Sequence, residues 1–178
     1  MKTFDWFLRS VLLSALSVAL AACGSAGGPD AELPPQGEAA IDAWIAEGTY
    51  KSWHCEAERH APRPPSMHQY NRACSNDLLS GNPDGGVYPK GAASVKEFWG
   101  PTGDSVIGYA VYLKVQDASA DGKGWYYYAK IPALKADGPV VDGIGDTGAA
   151  NQLCVPCHKA AGTDAAHFGH DFVYTQVK

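Results

Sequence analysis

The run Cys-Val-Pro-Cys-His at residues 154–158 is the feature that most constrains this chain of 178 residues. Cys-x-x-Cys-His is the attachment motif of c-type haem, in which the two thiols bond to the macrocycle and the histidine binds the iron. The sequence therefore predicts one covalent haem c, attached near the C-terminus through Cys154 and Cys157. His158 is the predicted metal ligand, on the proximal side of the haem.

Residues 1–22 are typical of an export signal. Residues 11–20 form an apolar run that is too short to span a bilayer. The run continues into Leu-Ala-Ala-Cys, which resembles a bacterial lipobox and makes Cys23 the predicted lipidation site. Gly24, in place of an aspartate, favours the outer membrane. We expect an exported lipoprotein that faces the periplasm or the cell surface and is held to the membrane by its lipid. The alternative is an ordinary secretory signal followed by an unmodified cysteine.

Five cysteines occur in the chain, and two of them have no role in lipidation or haem attachment. These are Cys55 and Cys74. Because an exported protein folds in an oxidising compartment, a disulfide between them is expected. Closing this loop contributes roughly 3 kcal/mol in the chain-entropy model. The alternatives are a metal site that includes His54 or His60, or two free thiols.

Composition favours one folded domain after a tether. Residues 23–38 are rich in Gly, Ala and Pro and predict a flexible link to the membrane, and residues 39–178 form the predicted haem domain. The formal net charge is −5 and no basic cluster is visible, so nucleic-acid binding is not expected.

The hydrophobic periodicity predicts an α+β fold. Apolar residues recur at helical spacing from residue 39 to about 46, and alternating apolar residues predict strands afterwards. We expect a mainly antiparallel β-sheet with short flanking helices. The predicted strands are residues 92–99, 105–116, 124–131 and 172–175, and the predicted loops are residues 55–74 and 132–148.

This pattern differs from two common classes of cytochrome c. Class I proteins carry the haem motif near the N-terminus and a methionine ligand downstream of it. Here Met67, the only methionine beyond the signal segment, precedes the motif. Class II proteins carry the motif near the C-terminus of a four-helix bundle, and this chain has too many strand signals for a bundle.

Five segments in a fixed order carry a resemblance to a known family. Over residues 53–175 the chain resembles cytochrome P-460 and its relatives, the cytochromes c-prime-beta. The resemblance implies a small β-type haem domain with an open distal side, usually a homodimer. The segments are Tyr-Asn-Arg (70–72), Pro-Lys-Gly-Ala-Ala-Ser-Val-Lys-Glu (89–97), Gly-Trp (124–125), the haem motif (154–158) and Asp-Phe-Val-Tyr-Thr (171–175).

The resemblance also implies two activities, which differ by one residue. P-460 proteins oxidise hydroxylamine and carry a lysine bonded to the haem, and Lys96 matches that lysine. The c-prime-beta proteins lack the bond and bind nitric oxide or carbon monoxide. Arg72 matches an arginine near the haem that pairs a propionate or positions a polar ligand. The alternatives are an ordinary solvated lysine on a strand and a surface arginine.

One departure from the P-460 pattern weakens the oxidase interpretation. The P-460 enzymes carry a distal glutamate that accepts protons. Aligning Gly108 places Ala110 at that position. Glu97, Asp104 or Asp121 could take the place of the glutamate in space. The small residues Gly108 and Ala110 are predicted to leave room for a flat cofactor.

The remaining histidines leave further alternatives open. Each could be a sixth haem ligand, as could Met67, and His167 or His170 could complete a zinc site with the motif cysteines. A six-coordinate haem predicts a non-enzymatic electron-transfer cytochrome that works with a redox partner protein. A third alternative is a lipoprotein in which the haem is only structural. The histidines outside the motif are His54, His60, His68, His167 and His170.

Overall fold

A computed structural model describes residues 33–178, except for residues 65, 67, 83, 84 and 176. The predicted signal peptide, the lipidation site Cys23 and Met67 lie outside the described residues. The end of the predicted tether packs on the domain: Leu33 contacts the core, and the amide of Gly37 donates a 2.8 Å hydrogen bond to the Tyr126 hydroxyl.

A six-stranded antiparallel sheet forms the centre of the fold, and its strands lie side by side in chain order. The α+β class and the antiparallel sheet are therefore confirmed. The strands are β1 (His54–Cys55), β2 (Asn71–Ser75), β3 (Ala93–Trp99), β4 (Val106–Lys114), β5 (Trp125–Lys130) and β6 (Val141–Ile144). The α-helices are α1 (Glu38–Glu47), α2 (Asp77–Ser80) and α3 (Val155–His158), and short 3-10 helices span Thr49–Ser52 and Ala120–Gly122.

The sheet buries both of its faces, because side chains alternate between them along each strand. One face, which we call the helix face, packs against α1 and includes Val95, Val111 and Tyr128. The opposite face, which we call the motif face, packs against the C-terminal segment and includes Trp125 and Tyr127.

The helix and three of the four predicted strands are confirmed, within one or two residues at each end. The two long predicted loops are wrong in part, because β1 and β2 lie within residues 54–75 and β6 lies within residues 132–148. These strands are short and lack clean alternation, so neighbouring strands stabilise them through backbone hydrogen bonds.

The predicted strand at residues 172–175 is wrong. His170 and Val173 instead exchange two backbone hydrogen bonds, of 3.0 and 2.8 Å, and close a tight turn. Asp171 and Phe172 at the centre of this turn have φ values of 44° and 69°. Two positive φ values characterise the primed turn types, in which few side chains are favoured.

The predicted disulfide between Cys55 and Cys74 is present. The two residues are opposite each other in the register of β1 and β2. Beyond β1, His60 and Asn71 exchange backbone hydrogen bonds of 2.9 and 3.0 Å. The chain between them, residues 61–70, therefore leaves and re-enters the sheet edge at one place.

Within the described part of the chain, no helix combines the length and apolar character needed to cross a membrane.

Candidate haem-attachment site

The Cys-x-x-Cys-His motif is held in place by its own valine, which packs in space against two glycines from other parts of the chain. A π-helical segment (Ala150–Cys154) runs directly into α3, and Val155 at the start of α3 is buried. A Cβ atom on Gly122 or Gly145 would lie only 2.8 or 2.9 Å from Val155 Cγ2. The two glycines therefore leave the space that seats the motif on the domain.

Cys154 and Cys157 are free thiols on this segment. Cys154 is partly buried and Cys157 is exposed, and burial raises the pKa of Cys154 to about 11. The thiols are thus available for covalent attachment, as the motif requires.

The tautomer of His158 is determined by one hydrogen bond. Its Nδ1 lies 2.6 Å from the carbonyl oxygen of Phe172. Because a carbonyl oxygen can only accept, Nδ1 carries the proton and donates it, which leaves the lone pair on Nε2 free. Burial is the main cause that lowers the pKa of His158 to about 4, so the ring is neutral at neutral pH. A neutral imidazole with a backbone carbonyl at its second nitrogen is the usual state of a metal-binding histidine.

The carbonyl of Phe172 is aimed by the turn of residues 170–173. Non-glycine residues in the left-handed region cost on the order of 1 kcal/mol each, so other contacts must stabilise the turn. The Asp171 carboxylate supplies them: it accepts from the Tyr88 amide at 2.8 Å and from Lys114 Nζ at 3.1 Å. The Ser119 hydroxyl also donates to it.

The ion pair between Lys114 and Asp171 is almost fully buried, with 0% and 6% of the two side chains exposed. Lys114 belongs to the motif face, since it is opposite Trp125 in the register of β4 and β5, and Asp171 lies in the turn that packs on this face. The pair therefore connects the sheet directly to the turn that orients His158.

Aromatic rings surround the His158 imidazole. The ring of Tyr127 lies 5.5 Å away between centroids, Tyr112 lies 5.9 Å away and Tyr174 lies 6.0 Å away, all nearly edge-on. His68 faces the same imidazole at 6.5 Å. The candidate haem ligand thus lies against the motif face, and His68 lies close to it.

Lys96 lies beside this cluster. In the sheet register it shares a row with Ala73, Ala110 and Ala129, so only small side chains flank it. The pKa of Lys96 is lowered to about 8, mainly because the side chain is buried, whereas the nearby Cys157 raises this pKa. The charge of Lys96 contributes to the lowered pKa of His158 and of His68. The structure therefore brings Lys96 together with the motif.

Arg72 is not brought together with the motif. Its guanidinium makes hydrogen bonds of 2.9 and 3.1 Å to the Glu97 carboxylate, which also accepts from the Tyr50 hydroxyl at 2.8 Å. Tyr50 belongs to the core of the helix face, whereas Lys96, the neighbour of Glu97, points the other way. Arg72 thus holds a buried carboxylate on the face away from His158.

None of the three carboxylates that the sequence suggested as a proton acceptor faces Lys96. Glu97 belongs to the helix face, Asp104 is exposed, and Asp121 is exposed and pairs with Lys159 at 2.8 Å. Glu56, which sequence reasoning missed, is the carboxylate whose charge raises the pKa of Lys96. It follows β1 on the edge next to Ala73, and no motif in the sequence marks it.

Four of the five remaining histidines have partners of their own. His54 pairs with Asp77, His60 with Glu56 and His167 with Asp164. The His170 ring stacks on Tyr88 with centroids 4.5 Å apart. Of the five, the structure brings only His68 to His158.

Several features of this region fit a haem. The Nε2 atom of His158 is free, two free thiols precede it at the attachment spacing, and the row beside Lys96 has no large side chain. Two buried polar atoms close to His158 have no hydrogen-bond partner: Nδ1 of His68 and the hydroxyl of Tyr127. Gly108 does not contribute space, because a Cβ atom there would lie 2.4 Å from the Lys130 carbonyl oxygen.

Among the described residues, no group of three or more His, Cys, Asp or Glu is arranged to hold a metal ion. Comparison with protein-family models, with curated proteins and with solved structures found no match for this chain.

Proposed function

We propose that this protein is an exported cytochrome that carries one covalent haem c and binds or reacts with small nitrogen species. The observation that carries the proposal is the bond from His158 Nδ1 to the Phe172 carbonyl. It leaves Nε2 free on the residue that directly follows Cys157, where the motif requires an axial ligand.

The chain's own residues divide the work of holding the group. Cys154 and Cys157 would bond to the macrocycle and His158 would bind the iron. When bound, the haem supplies a one-electron redox centre that can also take a small ligand. The turn at Phe172 keeps the imidazole oriented, and the aromatic rings around it keep bulk water away from the site.

Lys96 supports a reaction with nitrogen species. A lysine with its pKa lowered to about 8 has a larger unprotonated fraction at neutral pH than an ordinary lysine, which favours the amine as a nucleophile. Bonding it to the macrocycle edge replaces an N–H and a C–H bond by one C–N bond. The two electrons and two protons released would reduce a peroxide to water. If Lys96 is bonded to the macrocycle, we propose that the protein oxidises hydroxylamine and that a redox partner protein takes the electrons. If Lys96 is not bonded, we propose that the protein binds nitric oxide.

His68 favours a second candidate function. A histidine on the other side of the iron would give a six-coordinate haem suited to electron transfer with a partner protein.

For localisation, we propose an outer-membrane lipoprotein that faces the periplasm or the cell surface, anchored by a lipid on Cys23. From the family resemblance we also propose that the protein forms a homodimer.

Expression with the haem-maturation machinery, followed by intact mass and optical spectra, tests the proposal. We expect a mass gain of one haem, which Cys154→Ala with Cys157→Ala should abolish. Attachment that persists in the double variant, or no attachment to the wild type, would refute the proposal.

Peptide mapping then separates the two nitrogen activities. A haem peptide linked to Lys96, with a red-shifted ferrous spectrum, would indicate hydroxylamine oxidation. This link should disappear in Lys96→Arg and persist in Lys90→Arg, the matched control on an exposed lysine. Without the link, we expect nitric oxide to shift the ferrous spectrum. A spectrum indifferent to nitric oxide would exclude both activities and leave electron transfer.

A further inference from the structure

We propose that His68 is the second axial ligand of the haem, opposite His158, in the resting protein. This inference rests on the proposed haem attachment and names the residue that controls access to the iron.

The separation of the two imidazole rings fits one metal between them. Metal–nitrogen bonds to histidine are about 2.0–2.1 Å long, and each ring adds about 1 Å from nitrogen to centroid. Two histidines that bind one metal from opposite sides therefore have ring centroids about 6 Å apart. The rings of His68 and His158 are 6.5 Å apart. Their interplanar angle of 45° is compatible with this arrangement, since each ring can rotate about its own metal–nitrogen bond.

The surroundings of His68 give a second, independent indication of a ligand. Its Nδ1 is buried and makes no hydrogen bond, and its ring packs edge-on against Phe98 with centroids 5.4 Å apart. Leaving a buried polar nitrogen without a partner destabilises the folded protein. Such a cost is expected where a bound group completes the site.

The loop that carries His68 is closed at its base. His60 and Asn71 pair through their backbones, and the amide of Trp99 donates to the Tyr70 carbonyl at 2.8 Å. The disulfide between Cys55 and Cys74 ties together the strands on either side. His68 can therefore be held at the site, and a small ligand must displace it to reach the iron.

This displacement has a measurable consequence. An internal ligand that occupies the iron for about 90% of the time lowers the apparent affinity of an external ligand about tenfold. Removing the His68 imidazole should therefore strengthen carbon monoxide binding to the ferrous protein by at least this factor.

The test is electron paramagnetic resonance and near-infrared magnetic circular dichroism of the ferric, haem-loaded protein. We expect the low-spin signature of two histidine ligands. His68→Ala should change it to a high-spin spectrum, and added imidazole should restore the low-spin form. His54→Ala is the matched control, because His54 lies on the edge strand β1 and its ring pairs with Asp77 at 2.9 Å.

A high-spin wild type, a low-spin spectrum unchanged in His68→Ala, or a signature of one histidine and one lysine would overturn the inference. The last outcome would assign the position to Lys96. The wild-type spectrum alone detects the first and the third of these outcomes, and His68→Gln replaces His68→Ala for the second if the alanine variant does not fold. Intact mass separates the two failures: a protein with one haem and no second histidine ligand refutes only this inference, whereas a protein without haem refutes the proposed function.

Discussion

His158 donates its Nδ1–H to the carbonyl oxygen of Phe172 across 2.6 Å. This contact joins the motif helix to a turn that is close in sequence but strained, with positive φ at two non-glycine residues. A buried ion pair between Asp171 of this turn and Lys114 of the sheet stabilises it. The orientation of the candidate haem ligand therefore depends on residues from three separate parts of the chain.

Asp171→Asn should destabilise the protein and change the haem together. The substitution leaves the Lys114 ammonium buried without its counter-charge, and breaking such a pair costs about 3–5 kcal/mol. A looser turn also weakens the hydrogen bond from His158, which makes the imidazole a poorer electron donor and raises the reduction potential. Urea unfolding and redox titration measure the two effects. Asp146→Asn, at an exposed position, should stay within about 0.5 kcal/mol, and an unshifted potential in Asp171→Asn would contradict the positioning role.

Gly122→Ala should disturb the seat of the motif helix. The new Cβ atom would meet Val155 Cγ2 at 2.8 Å, and φ at this position is +98°. Gly86→Ala is the matched control, since its φ is +99° and nothing lies within 4 Å of the added atom. We expect Gly122→Ala to lose about 1–3 kcal/mol more than Gly86→Ala, because overpacking adds to the backbone strain. Denaturant unfolding and the yield of haem-loaded protein check this, and equal losses would show that Val155 moves freely.

Arg72→Ala should affect stability and leave the haem spectrum unchanged. Without the guanidinium, the Glu97 carboxylate, whose side chain is 2% exposed, keeps only the Tyr50 hydroxyl as a partner. The expected loss is about 3–5 kcal/mol in the free energy of unfolding. Arg72→Lys keeps the charge but not the two-pronged geometry, so it should fall between wild type and alanine. A clear shift of the haem spectrum in the folded alanine variant would instead return Arg72 to the haem site.

Glu56 should make the stability depend on pH in the acid range. Burial acts to raise its pKa, but the Ala73 amide, the Arg63 guanidinium and His60 hold the pKa below the ordinary value of 4.5. A carboxyl group whose pKa is lowered by folding stabilises the protein above its unfolded pKa, and this contribution disappears as the pH falls through the folded pKa.

Glu56→Gln should therefore lower the free energy of unfolding at neutral pH, and its difference from wild type should vanish in acid. Urea unfolding between about pH 7 and about pH 3 measures this difference. Glu58→Gln, at an exposed position, serves as the control and should follow the wild type. A difference that stays constant down to the lowest pH would show that Glu56 acts through packing rather than charge.

The strongly alternating segments were predictable, because one buried face leaves a period of two in the sequence. In β4, for example, Tyr109, Val111 and Leu113 mark the helix face. The strand β2 carries no such pattern: both of its faces are partly or fully buried, and the backbone pairing with β3 stabilises it. The strand β6 also lacks a clear alternation, because it has four residues and one of them is a glycine. Strands of this kind form because their neighbours exist, which a local pattern cannot show.

At the site, the sequence named candidate residues but not their spatial neighbours. The sequence pointed to His158, the two thiols and Lys96 through a motif and a resemblance. It placed Arg72 near the haem, whereas the structure pairs it with Glu97 on the other face. It did not mark Glu56, and it could not separate His68 from four other histidines. The position of Arg72 depends on the face of β2 from which its side chain emerges, which requires the strand register. The positions of Glu56 and His68 depend on how the chain outside the strands packs.

By itself, the sequence determined the pattern of cysteines, the attachment motif and the α+β class, because covalent chemistry and hydrophobic periodicity are local properties. Only the tertiary structure decided that Phe172 orients His158, that a buried Lys114–Asp171 pair supports this turn, and that His68 faces the same imidazole. The last two relationships join residues far apart in the chain, and all three depend on buried charge and close packing that exist only after the sheet has formed.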